Sequence, residues 1–490
     1  QQSVLDREDR QQRDDNPMPA SDLLAGGERL AQGLLLARQR SLARTKRGRS
    51  SLNESSAECL LPDWSPRNVE RLVNTSLFVP SAIDRIQFRH RAIQEYLAAK
   101  MLDRLASSGS RRIVHQILFS DSYTEKVVIP SLKPAAGWLA LWDAETRHEL
   151  LRRDPEVLVL HGDAQSLSVD ARAQLIRRYV DAYGRGGYRG LSLPPTEIRR
   201  LATPEHTPLL AEIYSQGDLN EDAKRFVLKQ MWLGHMRECT DVLLNAAIDP
   251  SESEYIRMLG IHGLTDLDAI EQLQCVAGDM LPSDTDRWPH SLVRQAAECL
   301  YPRVLTTDDL VELIRRTPEP SRSTNGFGWS LRQMPHSLEP GSQQAAAFRF
   351  RPVDLLLGSH AATRSRYETL HSKFEHVSEA VIISCKRSAT AGHVEREVAF
   401  SAAIAHRFGD REYLVRDETG FLRDELNKNA ERRRLQWLCE FEAFNAIFGD
   451  LGRPSDAYLV SERGLARWET EDVGWALDLI EDVSQPVDVR

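Results

Sequence analysis

The 490-residue chain contains no apolar run long enough to cross a bilayer, which excludes a membrane-spanning helix. Its opening, QQSVLDREDRQQRDDNPMP, is polar and charged where a signal peptide needs an apolar centre. The cytoplasm is therefore the expected compartment. Cysteine is scarce: Cys59, Cys239, Cys275, Cys299, Cys385 and Cys439 include no CxxC pair, which argues for reduced thiols over a disulfide framework or a zinc knuckle. His371 and His376, the nearest thing to a ligand pair, are five residues apart and fall on different helix faces, so no metal is expected. GxxxxGK[ST], GxSxG and HExxH are all missing, and no catalytic centre can be named. The formal charge of −9 makes the chain a poor ligand for a polyanion, so nucleic acid is not an expected partner.

The composition, 41% hydrophobic and 28% charged, is that of a folded protein, and the length calls for several domains or a stack of repeats. Residues 1–20 carry many charges with little to bury and are expected to be disordered. SDLLAGGERLAQGLLLARQRSL places Leu30, Leu34 and Ala37 on one helical stripe, weakened by three glycines. The basic stretch that follows, with Arg38, Arg40, Arg44, Lys46, Arg47 and Arg49, has no aromatic to stack on a base and reads as a solvated loop. In LPDWSPRNVERLV, Ser65 is a natural N-cap, Pro66 suits the first helical position, and Val69, Leu72 and Val73 form the apolar stripe. SLFV and RIQF flank PSAID as a small hairpin, and a helix leaves directly from the second strand. Helix, hairpin, helix is the outline of a winged-helix unit.

From about residue 110 the pattern becomes helix, loop, helix. Helices from 221, 253 and 290 each precede a second apolar helix, at roughly thirty to forty residues per pair. A pair with one apolar face must stack on its neighbours, which points to a HEAT-like α-solenoid. YGRGGYRG, with Gly184, Gly186, Gly187 and Gly190, follows a helix and reads as a C-cap and loop, not a dinucleotide fingerprint. Beyond 340, EPGSQQAAAFRFRPVD reads as a loop and AVIISC as a strand or a buried helix turn. LRDELNKNAERRRLQWLCEFEAFNAIFG reads as one long helix with Leu435, Leu438 and Phe441 inward. The expected fold is thus mainly α. Its parts are a disordered segment at 1–20, a helical and winged-helix unit at 21–108, a solenoid of helical pairs at 109–340, and further helical repeats at 341–490.

FRHRAIQEYLAAKML, beginning at Phe88, sets His90 at the junction of strand and helix. Gln94 and Ala98 share its helical face, Arg91 and Glu95 are spaced to pair, and Ile93, Leu97 and Met101 form the buried stripe. A lone histidine there is most simply a packing or capping residue. A ring N–H at a helix start can also be aimed at an anion.

Phe88, His90, Gln94, Glu95, Tyr96, Ala98 and Ala99 spell Phe-x-His-x-x-x-Gln-Glu-aromatic-x-Ala-Ala. This pattern resembles, without a gap, the winged-helix segment that ends the NACHT module of STAND-type NTPases, the class of NOD-like receptors and bacterial antiphage sensors. Together with the solenoid, the resemblance spans roughly residues 20–340 and is closest to the bacterial members. It implies that His90 contacts the β-phosphate of bound ADP and holds a closed, inactive state. It also implies an ATPase parent in which a P-loop lysine and a Walker B acid, with Mg, lie upstream. This chain has neither, so it is expected to have no enzymatic activity and no cofactor of its own, and to be a C-terminal part, a decayed paralogue or a separately encoded subunit. The expected function is the sensor and regulatory region of such a protein, in antiphage or stress defence. Its expected partners are an upstream nucleotide module, a protein ligand on the solenoid, and further copies on activation. The alternative is a free-standing helical-repeat adaptor whose winged helix is purely structural.

Overall fold

The computed structural model describes residues 18–44, 55–120, 127–187, 190, 192–317, 327–359, 374–408, 416–449 and 464–481. The chain divides into two compact units, Gln1–Cys239 and Thr240–Arg490. That division falls inside the 109–340 stretch read from sequence as one solenoid. Among the described residues the fold is mainly helical, and none of the helices is long and apolar enough to cross a membrane.

The first unit opens with α1 (Ala20–Leu36), β1 (Leu42–Ala43), α2 (Ala57–Leu60), α3 (Pro66–Val73), β2 (Phe78–Ala82), β3 (Arg85–Phe88) and α4 (Arg91–Leu105). It continues through α5 (Arg111–Leu118), β4 (Phe119–Ser120), β5 (Val127–Val128), α6 (Lys133–Leu139), α7 (Ala144–Arg153) and α8 (Glu156–Leu160). It ends with α9 (Val169–Tyr183), α10 (Pro195–Leu201), α11 (Thr207–Tyr214) and α12 (Glu221–Leu233). Residues 1–17 of the stretch expected to be disordered lie outside the described residues. At its end Ala20 is buried and starts α1, because Leu23, Leu30 and Leu34 give that helix an apolar face.

Ser65 caps α3, its Oγ accepting from Asn68 N at 3.2 Å, with Pro66 in the first turn. β2 and β3 pair antiparallel with Phe78 opposite Phe88 and a register shift between Pro80 and Ala82, so β2 runs into the PSAID turn. β1 joins the other edge of β3, giving the order β1-β3-β2. The basic stretch expected as loop therefore supplies a strand, while Lys46, Arg47 and Arg49 lie outside the described residues. The glycines of α1 are close-packing points. A Cβ at Gly26 would lie 2.5 Å from Trp64 Cη2, and one at Gly33 would lie 2.6 Å from Leu60 Cδ2. Removing that methyl lets Trp64 and Leu60 seat on the helix, which offsets the glycines' poor helix propensity. Further on, Gly184 caps α9 as the sequence indicated, and Gly186 takes φ +82°, open to glycine without strain.

The second unit begins with α13 (Thr240–Ile248), α14 (Glu254–Asp266), α15 (Ile270–Met280), α16 (His290–Leu300), α17 (Thr307–Arg316) and α18 (Phe327–Gln333). It goes on to α19 (Gln343–Ser359), α20 (Ser378–Thr390), α21 (Arg396–Phe408), α22 (Arg416–Leu426), α23 (Ala430–Phe448) and α24 (Asp472–Glu481). Helices pack on the next helix and the next but one: α14 on α13, α15 and α16, and α20 on α18, α19, α21 and α22.

Two expectations are corrected here and one is resolved. EPGSQQAAAFRFRPVD is not a loop: α19 runs through Pro352, because three consecutive alanines favour helix and Ala345, Phe348, Val353, Leu355 and Leu356 are buried against α20 and α21. AVIISC, open in sequence between a strand and a buried helix turn, is the latter, with Val381, Ile382 and Cys385 fully buried in α20. The long C-terminal helix is two, since Asn429 in extended backbone caps α23 by accepting from Arg432 N. Leu435, Leu438 and Phe441 are half-buried, and the inward face of α23 instead carries Arg433, Gln436, Cys439, Glu440 and Ala443.

Candidate functional site

Only two residues separate the end of β3 at Phe88 from α4, and His90 is the N-cap. Its backbone is extended at φ −130°, ψ 134°, and its ring makes no capping bond. The carbonyl of His90 accepts from Ile93 N at 3.1 Å and starts the helix, while the ring is exposed. Its flanking arginines are engaged elsewhere. Arg89 Nε donates to Ser76 O at 2.9 Å, and Arg91 Nε donates to Glu95 Oε1 at 2.8 Å. The imidazole thus stands at the positive end of a 15-residue helix whose first N–H groups have no partner within the helix.

The other residues of the pattern hold this junction in place. The Phe88 ring packs 4.5 Å from that of Phe78 across the hairpin and is buried. Ala98 and Ala99 are fully buried where α4 meets α1 and α6. Gln94 and Glu95 are half-buried, and burial pushes the Glu95 carboxyl above its ordinary range against the opposing pull of Arg91. Tyr96 meets Trp138 and Trp142 edge-on at 5.4 and 5.5 Å. The stripe expected to be buried was Ile93, Leu97 and Met101. Of these only Leu97 is fully inside, and the buried face is Leu97, Ala98, Ala99 and Leu102. Helices press on α4 from two sides, which rotates and widens its buried face beyond one stripe. His90, Gln94 and Ala98 do share a face, which runs from exposed through half-buried to buried along the helix.

On a different face of α4 the structure forms a cleft of about 710 Å³, lined by Leu24 and Glu28 of α1, Tyr96, Lys100 and Arg104 of α4, and Trp138 of α6. His90 is not part of it. Glu28 is 5% exposed and lies 2.9 Å from Arg104 Nε. Burial raises its pKa, with Arg104 pulling in the opposite sense. Lys100 Nζ stands 3.5 Å above the Trp142 ring. The cleft thus sets two engaged cations, the Glu28 carboxylate and aromatic edges side by side. Of these lining residues only Tyr96 belongs to the sequence pattern, because Glu28 and Arg104 meet across 76 residues of chain. Among the described residues no group of histidine, cysteine and carboxylate side chains is arranged to hold a metal. His376 is half-buried, and the loss of hydration lowers its pKa to about 4, while His371 lies outside the described residues.

With this geometry in place, comparison with family models, curated proteins and solved structures finds no match to the chain.

Proposed function

We propose that this chain is a sensor and regulatory region of a STAND-type NTPase. In this reading α3, the β-hairpin and α4 form a winged helix that senses nucleotide state, and the helical pairs beyond form a ligand-binding solenoid. The observation that carries the proposal is the uncommitted ring of His90, exposed at the start of a helix whose other end is fixed in the core. A helix start with free N–H donors and an imidazole N–H is a ready anion site, and the residues present therefore fit a diphosphate. ADP or ATP with Mg would be held chiefly by the upstream module, and His90 would add one contact. The chain itself would be inert as an ATPase. An upstream module, a protein ligand and further copies are the proposed partners, and defence signalling in the cytoplasm is the proposed setting.

The test joins the chain to its nucleotide module and compares His90→Ala with the parent by ADP titration. A charge-assisted hydrogen bond is worth about 1.5–3 kcal/mol, so ADP affinity should fall about tenfold or more and basal activity should rise. Thermal melts of the 490-residue chain should barely move, because the ring is exposed and bonds nothing that holds the fold. Unchanged ADP affinity would leave the adaptor reading, in which the hairpin and helices are purely structural.

A further inference from the structure

Residues Gly464–Glu469 belong to neither helix nor strand, yet Gly464, Leu465 and Ala466 are buried. Buried main-chain groups without secondary structure need other partners, and here side chains of the α22–α23 hairpin supply them. Asn427, in the turn between the two helices, donates through Nδ2 to Leu465 O at 2.8 Å and accepts through Oδ1 from Arg467 N at 2.6 Å. Glu440 Oε1 accepts from Leu465 N at 2.8 Å, and Arg423 Nη2 donates to Gly464 O at 3.3 Å. Three side chains thus bind four main-chain groups of one irregular segment.

Side-chain recognition is sparse by comparison. Leu465, fully buried, is the apolar anchor, and Trp468 sets its ring 5.3 Å from Trp437 while remaining 42% exposed. Ionic contacts add to these, Arg467 with Asp424 at 3.0 Å and Arg433 and Arg434 each 3.0 Å from Asp472, and Arg434 Nη2 donates to Glu471 O at 3.0 Å. Glu440 is positioned by Gln436 Nε2 at 3.0 Å and Arg407 at 3.4 Å, so its carboxylate is fixed by the helices and not by the segment. Fixed side chains that bind main chain, with one pocket for an anchor, are the elements of peptide recognition.

We propose that the groove between α22 and α23 is a peptide-binding surface that reads main chain. Residues Gly464–Asp472 occupy it in cis, and the same segment of a second copy of the chain occupies it in trans. The second copy is the occupant of choice because its contacts are the same ones: Arg433 and Arg434 face the acidic Glu471 and Asp472, and Asp424 faces Arg467. Exchange therefore leaves the contact energy unchanged, and concentration decides between cis and trans. No residue of 1–239 takes part, so the inference is independent of the nucleotide reading.

The experiment uses the full chain and a fluorescein-labelled peptide of residues 464–472, GLARWETED, read by anisotropy. In the wild type the cis segment competes at an effective concentration on the order of millimolar. Leu465→Ala, which weakens the cis anchor, should bind the peptide at least tenfold more tightly than wild type. Adding Asn427→Ala should abolish that gain. N-methylation of the peptide at residues 465 and 467, which removes the two N–H donors and keeps every side chain, should also abolish it. If thermal melting shows Leu465→Ala to be unfolded, Arg467→Glu, at an exposed position, weakens the cis segment instead. No gain in either folded variant, or equal binding of the N-methylated peptide, would overturn the groove. Light scattering should find a dimer fraction that grows with concentration. A chain monomeric up to millimolar concentration overturns the second-copy occupant.

Discussion

Gly260 and Gly278 predict opposite results from the same substitution. Gly260 lies in the middle of α14 against α13, where an added Cβ would stand 2.5 Å from Leu243 O and 2.9 Å from Ala247 N. Both are main-chain atoms and cannot rotate aside. Ordinary contact begins at 3.4 Å, so α13 and α14 must separate by about 0.9 Å at that point. A gap of that size forfeits about a quarter to a half of each affected dispersion contact, and Leu243, Ala247, Ile256 and Leu264 are all fully buried there. Overpacking costs about 1–3 kcal/mol, while replacing an interior helical glycine by alanine returns about 1 kcal/mol. A clash with main chain belongs to the upper part of that range, about 2–3 kcal/mol, so Gly260→Ala should be destabilised by about 1–2 kcal/mol. Gly278 is exposed in α15 with nothing within 4 Å of an added Cβ. Gly278→Ala should gain about 0.5–1 kcal/mol. At about 2–4 °C per kcal/mol for a unit of this size, circular-dichroism melts resolve both. Hydrogen exchange should accelerate in α13 and α14 of the first variant alone. A Gly260→Ala chain as stable as wild type would refute the close-approach reading, and so would shifts of the same sign in both variants.

Hydrogen bonds from Arg152 and Arg153 hold the Glu149 carboxyl at about 2, against an opposing effect of burial. Its contribution is therefore complete above about pH 4.5 and is lost as the pH falls toward 2. The melting temperatures of wild type and Glu149→Gln should converge over that interval, and a constant difference would refute the assignment. Iodoacetamide at pH 8 should label the exposed Cys59 and Cys275 on the native chain. It should spare Cys385 and Cys439, whose thiols burial pushes up to about 12, until denaturant is added. Peptide mass spectrometry distinguishes the sites, and early labelling of Cys385 would show that α20 opens.

The parts of the fold that were legible in sequence are those decided by neighbouring residues. Ser65 and Pro66 announce α3 because a cap and a fixed φ act within one turn. The junction at His90 was readable because β3 and α4 follow each other directly, and Arg91 and Glu95 pair at helical spacing. What was weakly signalled or failed was decided at a distance. The glycines of α1 count against a helix until Trp64 and Leu60 are seen to need them. Pro352 marks a break until the burial of Leu355 and Leu356 beyond it carries α19 onward. The cleft beside α4 depends on Glu28 reaching Arg104, a contact that no local pattern encodes.

The inward face of α23 shows the same limit most sharply. Periodicity turned Leu435, Leu438 and Phe441 toward the core, on the premise that a helix buries its apolar side. The chain buries Arg433, Gln436 and Glu440 instead. A buried charge is tolerable only with a partner and satisfied hydrogen bonds. Gln436 of the same helix bonds Glu440, but the charged partners come from elsewhere in the chain: Asp472 for Arg433, and Arg407 for Glu440, which also binds the main chain of Leu465. The apolar residues are left half-buried, while the adjoining aromatics Trp437 and Phe441 pack together at 4.6 Å and Trp437 meets Trp468 and Trp475. Apolar periodicity finds the face that packs on other side chains. A face that binds main chain must be polar, because N–H and C=O groups are what it contacts. Such a face is indistinguishable from a solvated one until its occupant is in place, and on α23 that occupant begins at Gly464.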